Sequence, residues 1–177
     1  KMAEKAKREN IDIVILTGDI TFAELSIKNL IGPFVKEKKQ VLIIHGNHES
    51  IATINLLADL YAPTKNIHGY SFKKNNVGIF GAGGADIGTD RVKESEIFNI
   101  LKKGNENVKN MKKRIMVTHM HAKGTKSEFS GWEGSAGIRK AVEQLQPDYL
   151  LHSHIHEAEG LEEKIGKTKV INIGRKG

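Results

Sequence analysis

The 177-residue sequence contains no cysteine, only three prolines, and few aromatic residues, which make up 6% of the chain. Without cysteine there is no disulfide bond and no thiolate metal site, so any metal ion would be bound by histidine, aspartate, glutamate or asparagine. No apolar run reaches the roughly 18 residues of a membrane-spanning helix, and the sequence shows no secretory-leader pattern. We therefore expect no membrane segment, with the cytoplasm as the default compartment.

The overall composition is that of an ordinary globular protein, with 38% hydrophobic and 28% charged residues. The length fits one domain over residues 1–177 that is large enough to bury a core. The net charge of +7 raises the question of nucleic-acid binding. The basic residues are dispersed in short groups and aromatic residues are scarce, so a solvated surface is favoured and nucleic acid is possible but not indicated. A positive field would still attract a phosphorylated substrate.

Short apolar runs alternate with amphipathic stretches along the whole chain. The apolar runs predict strands at 11–16, 41–44, 77–80, 115–117, 148–151 and 170–174. Helical patterns occur at 1–10, at 23–39, after Ser50, at 94–111 and after Ser135, and Gly32-Pro33 is expected to kink or divide the second of them. Lys73-Lys74-Asn75-Asn76 is a hairpin signal. This alternation predicts a layered α/β domain with both sheet faces covered.

The stretch Leu42-Ile43-Ile44-His45-Gly46-Asn47-His48-Glu49 is the most informative part of the sequence. Its apolar half has the length and β-branched content of a strand that is buried on both faces. Gly46 then allows a sharp turn that presents Asn47 and His48 at the carboxyl end of the strand. In open α/β sheets, that end is where ligands bind.

Histidines are concentrated at the ends of three predicted strands, where seven of the eight lie. These seven are His45, His48, His119, His121, His152, His154 and His156. With Asp19 and Asn47 they supply nitrogen and oxygen ligands from four strand ends, which suits divalent Mn, Fe, Zn, Ni or Co. Taken alone, Asp19 equally suits a turn or a helix cap, Asn47 a turn, and His154 a surface strand. The combination favours a metal site.

Four short motifs together resemble the calcineurin-like metallophosphoesterases, in particular their small single-domain branch. They are Leu16-Thr17-Gly18-Asp19, His45-Gly46-Asn47-His48-Glu49, Thr118-His119 and Ser153-His154-Ile155-His156. The order of the motifs matches that family from Asp19 to Gly174. The resemblance implies a four-layer αββα sandwich with two divalent metal ions. It also implies hydrolysis of phosphomonoesters or phosphodiesters by attack of a metal-bound hydroxide.

The same resemblance assigns roles to individual residues. Asp19 would bridge the two metal ions, Asn47, His119 and His154 would complete one site, and His156 would belong to the other. His48 would be a catalytic residue and no ligand, donating a proton to the leaving group or stabilising the phosphoryl oxygens. Two cations ~3.5–4 Å apart stabilise phosphoryl charge. An imidazole with a pKa of about 6.5 suits proton donation near neutrality.

Several histidines and aromatic residues match no ligand position of the family. His45, His121 and His152 are expected to support the ligands or to pack in the core. The loop 122–134 contains Phe129 and Trp132, which would either close over a substrate or pack against the domain.

Two departures from the family pattern matter. Ser153 stands where glycine usually precedes His-x-His, and no Asp-x-His occurs anywhere in the sequence, although the family has that motif at the end of its first strand. We expect this strand upstream of Lys1, so that residues 1–177 form an N-terminally incomplete domain. The first metal site would then retain Asp19 and His156 and be empty or weakly filled. The chain made alone is expected to bind a single tight ion, show little hydrolysis and be poorly soluble.

The leading prediction is therefore a metal-dependent phosphoesterase acting on a phosphorylated small molecule or nucleotide. The main alternative is a catalytically impaired metal-binding module of the same fold. A basic nucleic-acid-binding protein with structural histidines is the weakest of the three hypotheses.

Overall fold

A computed structural model describes residues 1–174, which contain five α-helices and nine β-strands. The helices are α1 (Met2–Arg8), α2 (Gly32–Lys36), α3 (Ile51–Leu60), α4 (Glu94–Glu106) and α5 (Ala136–Leu145). The strands are β1 (Ile13–Leu16), β2 (Gln40–Ile43), β3 (Thr64–Asn66), β4 (Ser71–Lys74), β5 (Val77–Ala82), β6 (Lys113–Thr118), β7 (Tyr149–His152), β8 (Glu162–Ile165) and β9 (Thr168–Asn172). Short 3-10 helices lie at Lys126–Ser130 and His156–Ala158.

The strands form two sheets. One is parallel with the order β1-β2-β3, and the other has six strands in the order β4-β5-β6-β7-β9-β8. The centre of the larger sheet, from β5 through β6 and β7 to β9, is parallel. Two antiparallel hairpins, β4-β5 and β8-β9, form its margins. The predicted hairpin at 73–76 is confirmed.

Three separate clusters of buried side chains show how the layers stack. Val41 and Ile43 of β2 pack with Ile54 and Leu57 of α3 on the outer face of the small sheet. The alternate residue Leu42 points to the other face, because successive strand residues point to opposite sides. This middle cluster joins Leu42, Ile44 and Ile67 to Ile79 and Val117 of the large sheet.

The third cluster lies on the outer face of the large sheet. There Phe80 and Met116 pack against Leu101 of α4 and Ile138 of α5. Helices, sheet, sheet and helices therefore follow one another, and the predicted αββα sandwich is confirmed. Among the helices of residues 1–174, none is long and apolar enough to cross a membrane.

The helix predicted over 23–39 is wrong for most of its length. Only Gly32–Lys36 is helical, and Pro33 lies in the first turn of that helix instead of kinking a longer one. Upstream of it, Ala23, Glu24 and Asn29 have positive φ angles of 48°, 58° and 59°, which no right-handed helix contains. Tertiary contacts of this segment therefore override its helical pattern.

Two predicted helix starts are confirmed in detail. The Ser50 hydroxyl accepts a hydrogen bond from the Thr53 N–H at 3.2 Å, and the Ser135 hydroxyl accepts one from the Ile138 N–H at 3.1 Å. These caps stop α3 and α5 from extending back into the loops that follow β2 and His121. The loops before α3 and α5 therefore stay non-helical and carry polar residues.

Candidate metal centre

The carboxyl ends of four parallel strands meet along one edge of the two sheets. Asp19 follows β1, Asn47 and His48 follow β2, His119 follows β6, and His154 follows β7. The structure brings Asp19, His119 and His154 together, with one ligand atom of each within 4.8 Å of the others. Asn47 joins the same group through its side-chain oxygen.

The Nε2 atom of His119 lies at the middle of this group. It is 3.0 Å from Asn47 Oδ1, 3.1 Å from His154 Nδ1 and 3.5 Å from Asp19 Oδ1. The His119 side chain is fully buried, whereas 11% of the Asp19 side chain is exposed. The centre is therefore reached from solvent on the Asp19 side.

The hydrogen bonds around His119 determine which nitrogen carries its proton. Nδ1 lies 2.8 Å from the Thr17 carbonyl, which only accepts, so Nδ1–H donates and Nε2 keeps a lone pair in the neutral ring. Burial lowers the pKa of His119, which favours this neutral form, although the nearby Asp19 carboxylate opposes the shift. The free lone pair faces oxygens of Asn47 and Asp19 that also carry lone pairs. This donor set fits a divalent cation.

The Asp19 carboxylate is held in place by the turn after β2. Its Oδ1 accepts hydrogen bonds from the Asn47 N–H at 2.9 Å and from the His48 N–H at 3.2 Å. Asp19 and His154 both have positive φ angles, 51° and 66°, which are uncommon for residues with a side chain. Strained backbone of this kind is often found at functional sites, where surrounding contacts hold it.

Gly46 is required for the close approach of these two turns. A Cβ atom on Gly46 would lie 2.1 Å from Asp19 Oδ1 and 2.4 Å from the Asp19 nitrogen. The sequence predicted a sharp turn at this glycine. The structure adds that the missing side chain makes room for the Asp19 carboxylate itself.

Glu49 is completely buried and links the turn after β1 to the turn after β2. Its carboxylate accepts hydrogen bonds from the Gly46 N–H at 2.9 Å, the Ile20 N–H at 3.4 Å and the Thr21 hydroxyl at 3.3 Å. Burial raises the pKa of Glu49, while these donors lower it. The sequence motif contained Glu49 but gave it no role, because two of its partners, Ile20 and Thr21, lie almost thirty residues upstream.

His48 lies above the centre, and 35% of its side chain is exposed. Its Nε2 is 3.9 Å from Asp19 Oδ2, and its ring centroid is 5.4 Å from that of Phe22. The role of His48 as a proton donor that binds no metal stays a prediction. Its position beside the carboxylate and open to solvent is compatible with that role.

Ser153 and His156 lie on either side of His154 in the sequence. The Ser153 hydroxyl donates to the Thr17 carbonyl at 3.0 Å, the same carbonyl that His119 contacts, so the hydroxyl in place of a glycine is accommodated. His156 is exposed and lies outside the compact group of Asp19, His119 and His154. Its assignment as a ligand stays a prediction.

Of the remaining histidines, His45, His121 and His152 are buried, and His68 is half-buried beside His45. The His45 ring is 4.7 Å from that of His68, and the His121 ring is 6.1 Å from that of His152. Burial lowers the pKa of all four, and it lowers that of His45 and of His152 to about 4. Neutral, packed rings agree with the supporting role expected for His45, His121 and His152.

A cavity of about 790 Å³ opens beside the centre. Its lining includes the polar side chains of Asp19, His48, His154 and His156. Phe22 also lines this cavity. Phe129 and Trp132, the aromatic residues predicted either to close over a substrate or to pack, are exposed by 64% and 56%. The Trp132 carbonyl lies 3.2 Å from His121 Nε2, which links that loop to the buried histidines.

Solved structures of other proteins resemble the fold of this chain. The crystal structure of TT1561 from Thermus thermophilus superposes with a TM-score of 0.75 at 16% identity, covering 97% of this chain and 80% of that one. The Thermus thermophilus sulfate thiohydrolase SoxB, solved with glycerol, gives a TM-score of 0.61 at 10% identity, covering 98% of this chain and 36% of that one. At these identities the likeness shows the fold. A comparison with curated protein sequences gives no match.

The sequence model of one family matches residues 1–158, a range that contains all four motifs. That match agrees with the αββα fold and with the group of Asp19, Asn47, His119 and His154 at the strand ends. The chain belongs to the calcineurin-like phosphoesterase family.

Proposed function

We propose that this protein hydrolyses phosphomonoesters or phosphodiesters with divalent metal ions bound at Asp19, Asn47, His119 and His154. The observation that carries the proposal is the cluster of lone-pair donors around His119 Nε2, at 3.0 Å from Asn47 Oδ1 and 3.5 Å from Asp19 Oδ1. With the proton of His119 on Nδ1, its Nε2 lone pair faces two oxygen atoms that also carry lone pairs, and a divalent cation would stabilise this arrangement.

In this proposal Asp19 would help to hold the divalent ions, and its two oxygens face different neighbours. Oδ1 faces the ring of His119, and Oδ2 faces His48 and the cavity. His156, on the cavity wall, would contribute to a second ion next to Oδ2. Bound divalent ions neutralise phosphoryl charge and make water nucleophilic near neutral pH.

His48 acts on the leaving group. Its protonated ring would give a proton to the ester oxygen as the bond from that oxygen to phosphorus breaks. Asp19 Oδ2 lies 3.9 Å from His48 Nε2, close enough to direct the position of the ring. Buried His119 and His152 cannot take this role, because they do not reach the solvent-facing wall where a substrate would bind.

The test is hydrolysis of p-nitrophenyl phosphate and of bis(p-nitrophenyl) phosphate with added Mn²⁺, compared with the same protein after chelation. We expect slow, metal-dependent release of nitrophenol that the substitution His119→Asn abolishes. His156 is exposed and lies outside the compact group of Asp19, His119 and His154. This position favours a second hypothesis, a metal-binding module of the same fold with impaired catalysis. Metal binding without hydrolysis of either ester would support that alternative and contradict the proposal.

A further inference from the structure

Phe22 is an exposed aromatic residue that touches the proposed proton donor. Its exposure is 71%, and its ring centroid lies 5.4 Å from that of His48 with 32° between the ring planes. Phe22 also lies on the wall of the cavity that includes Asp19 and His154. The position of Phe22, on the cavity beside the metal centre and next to the ring of His48, points to contact with a ligand.

The backbone on both sides of Phe22 is fixed. On one side, the Thr21 hydroxyl bonds to buried Glu49 at 3.3 Å. On the other side, one oxygen of Glu24 accepts from the Ser50 N–H at 2.6 Å and from the Thr53 hydroxyl at 2.6 Å. The Leu25 N–H closes the turn by donating to the Phe22 carbonyl at 3.1 Å. Phe22 is therefore presented on an anchored turn, so little conformational entropy is lost when a ligand stacks on it.

We propose that Phe22 is the platform for an aromatic ring in the leaving group of the substrate, and that this ring is the base of a nucleotide. This inference rests on the proposed phosphoester hydrolysis. His48 protonates the leaving-group oxygen, so the leaving group extends from the metal centre towards His48 and the neighbouring Phe22. A ring carried by the leaving group stacks on the exposed face of Phe22, while the phosphoryl group stays at Asp19.

The reaction is an ordinary hydrolysis. A water-derived hydroxide forms a bond to phosphorus, the bond from phosphorus to the ribose oxygen breaks, and that oxygen takes a proton from His48. The products are a nucleoside and a phosphate, or a phosphate monoester when the substrate is a diester. Phe22 does not take part in bond making; it is a positioning residue that selects the leaving group.

The experiment uses two substrates that are identical at the bond that breaks. Adenosine 5′-phosphate and ribose 5-phosphate, or their methyl diesters, differ only in the base. Stacking of a base on an aromatic side chain is worth roughly 1–3 kcal/mol, about 5- to 150-fold. We expect the protein to prefer the adenosine ester by a factor in this range in kcat/KM. Phe22→Leu, which keeps an apolar side chain without a π-face, should remove most of that preference, and Phe22→Trp should retain it.

Leu25→Ala is the matched control, because Leu25 lies on the same turn, is 79% exposed and is absent from the cavity wall. It should leave the preference unchanged. Equal kcat/KM for the two esters, or a preference that survives Phe22→Leu, would overturn the inference while hydrolysis of p-nitrophenyl esters still supports the proposed function. Failure to hydrolyse any of these esters, with Mn²⁺ bound, would overturn the proposed function and this inference with it.

Discussion

Replacing Gly46 by alanine tests whether the turns that carry Asp19 and Asn47 must approach as closely as the structure shows. The new Cβ would lie 2.1 Å from Asp19 Oδ1, 2.4 Å from the Asp19 nitrogen and 2.8 Å from His119 Cε1. Each distance is far inside van der Waals contact, and one partner is backbone. Asp19 cannot rotate away, since its Oδ1 also accepts from the Asn47 and His48 N–H groups.

The turn after β1 and the turn after β2 must therefore separate in the variant. Forcing a methyl group into a packed site costs about 1–3 kcal/mol, and backbone contacts place this one at the upper end. For a chain of this size, each kcal/mol lowers Tm by roughly 2–4 °C. Displacement of Asp19 from Asn47 and His119 also alters the ligand set, so we expect Mn²⁺ affinity to fall by about 10- to 100-fold.

Calorimetry and Mn²⁺ titration of Gly46→Ala measure the two effects separately. Gly32→Ala is the matched control: it also adds one methyl group, but the nearest atom would be Tyr61 Cε1 at 3.7 Å, an ordinary contact. Because Gly32 is helical and precedes Pro33, a Cβ there is mildly disfavoured, so we expect a small loss of stability and unchanged Mn²⁺ affinity. The reasoning is refuted if Gly46→Ala binds Mn²⁺ and unfolds like the wild type.

Three further predictions concern single residues. His48→Ala should cut turnover by roughly 10²–10⁴ with unchanged metal content; loss of the ion would mean that His48 is a ligand. Glu49→Gln removes an acceptor from buried N–H groups and should lower the free energy of unfolding by about 1–3 kcal/mol in urea titrations. An unchanged midpoint of urea unfolding would show that the Glu49 hydrogen bonds do not stabilise the two turns. Burial holds the pKa of His45 and of His152 at about 4, below the unfolded value of about 6.5. Above pH 6.5 both rings are neutral in the folded and the unfolded chain, and this contribution to stability is fully present. As the pH falls towards 4 the unfolded chain takes up protons first, which lowers the free energy of unfolding by about 1–2 kcal/mol per histidine at pH 5. Equal stability in urea at pH 7 and pH 5 would contradict this prediction.

The sequence was sufficient to predict the layers and the strand ends. Strands buried on both faces have long apolar runs, and the polar residue after each run marks the sheet edge that ligands use. The strand ends grouped Asp19 and Asn47 with seven histidines before any distance was known. The family resemblance then selected His119, His154 and His156 as ligands among those histidines. Capping residues such as Ser50 act within one helical turn, so their effect is also local in sequence.

The segment between β1 and α2 could not be predicted in the same way. Its apolar spacing resembles a helix, but Glu24 bonds to Ser50 and Thr53, more than twenty residues away, and the backbone adopts positive φ angles to reach them. Contacts of this range leave no periodic signal. Glu49 bonds to Ile20 and Thr21 over a similar separation, so its burial could not be predicted from the motif that contains it.

The metal content of three proteins tests the central claim most directly. Wild type, Asp19→Asn and His156→Gln are loaded with Mn²⁺, dialysed, and analysed for manganese per chain alongside hydrolysis of bis(p-nitrophenyl) phosphate. We predict that the wild type retains a tight ion, that Asp19→Asn loses the ion and the hydrolysis together, and that His156→Gln retains the ion, because His119, Asn47 and His154 are still in place. Retention of manganese by Asp19→Asn, or its loss from His156→Gln, would contradict the assignment of the metal centre.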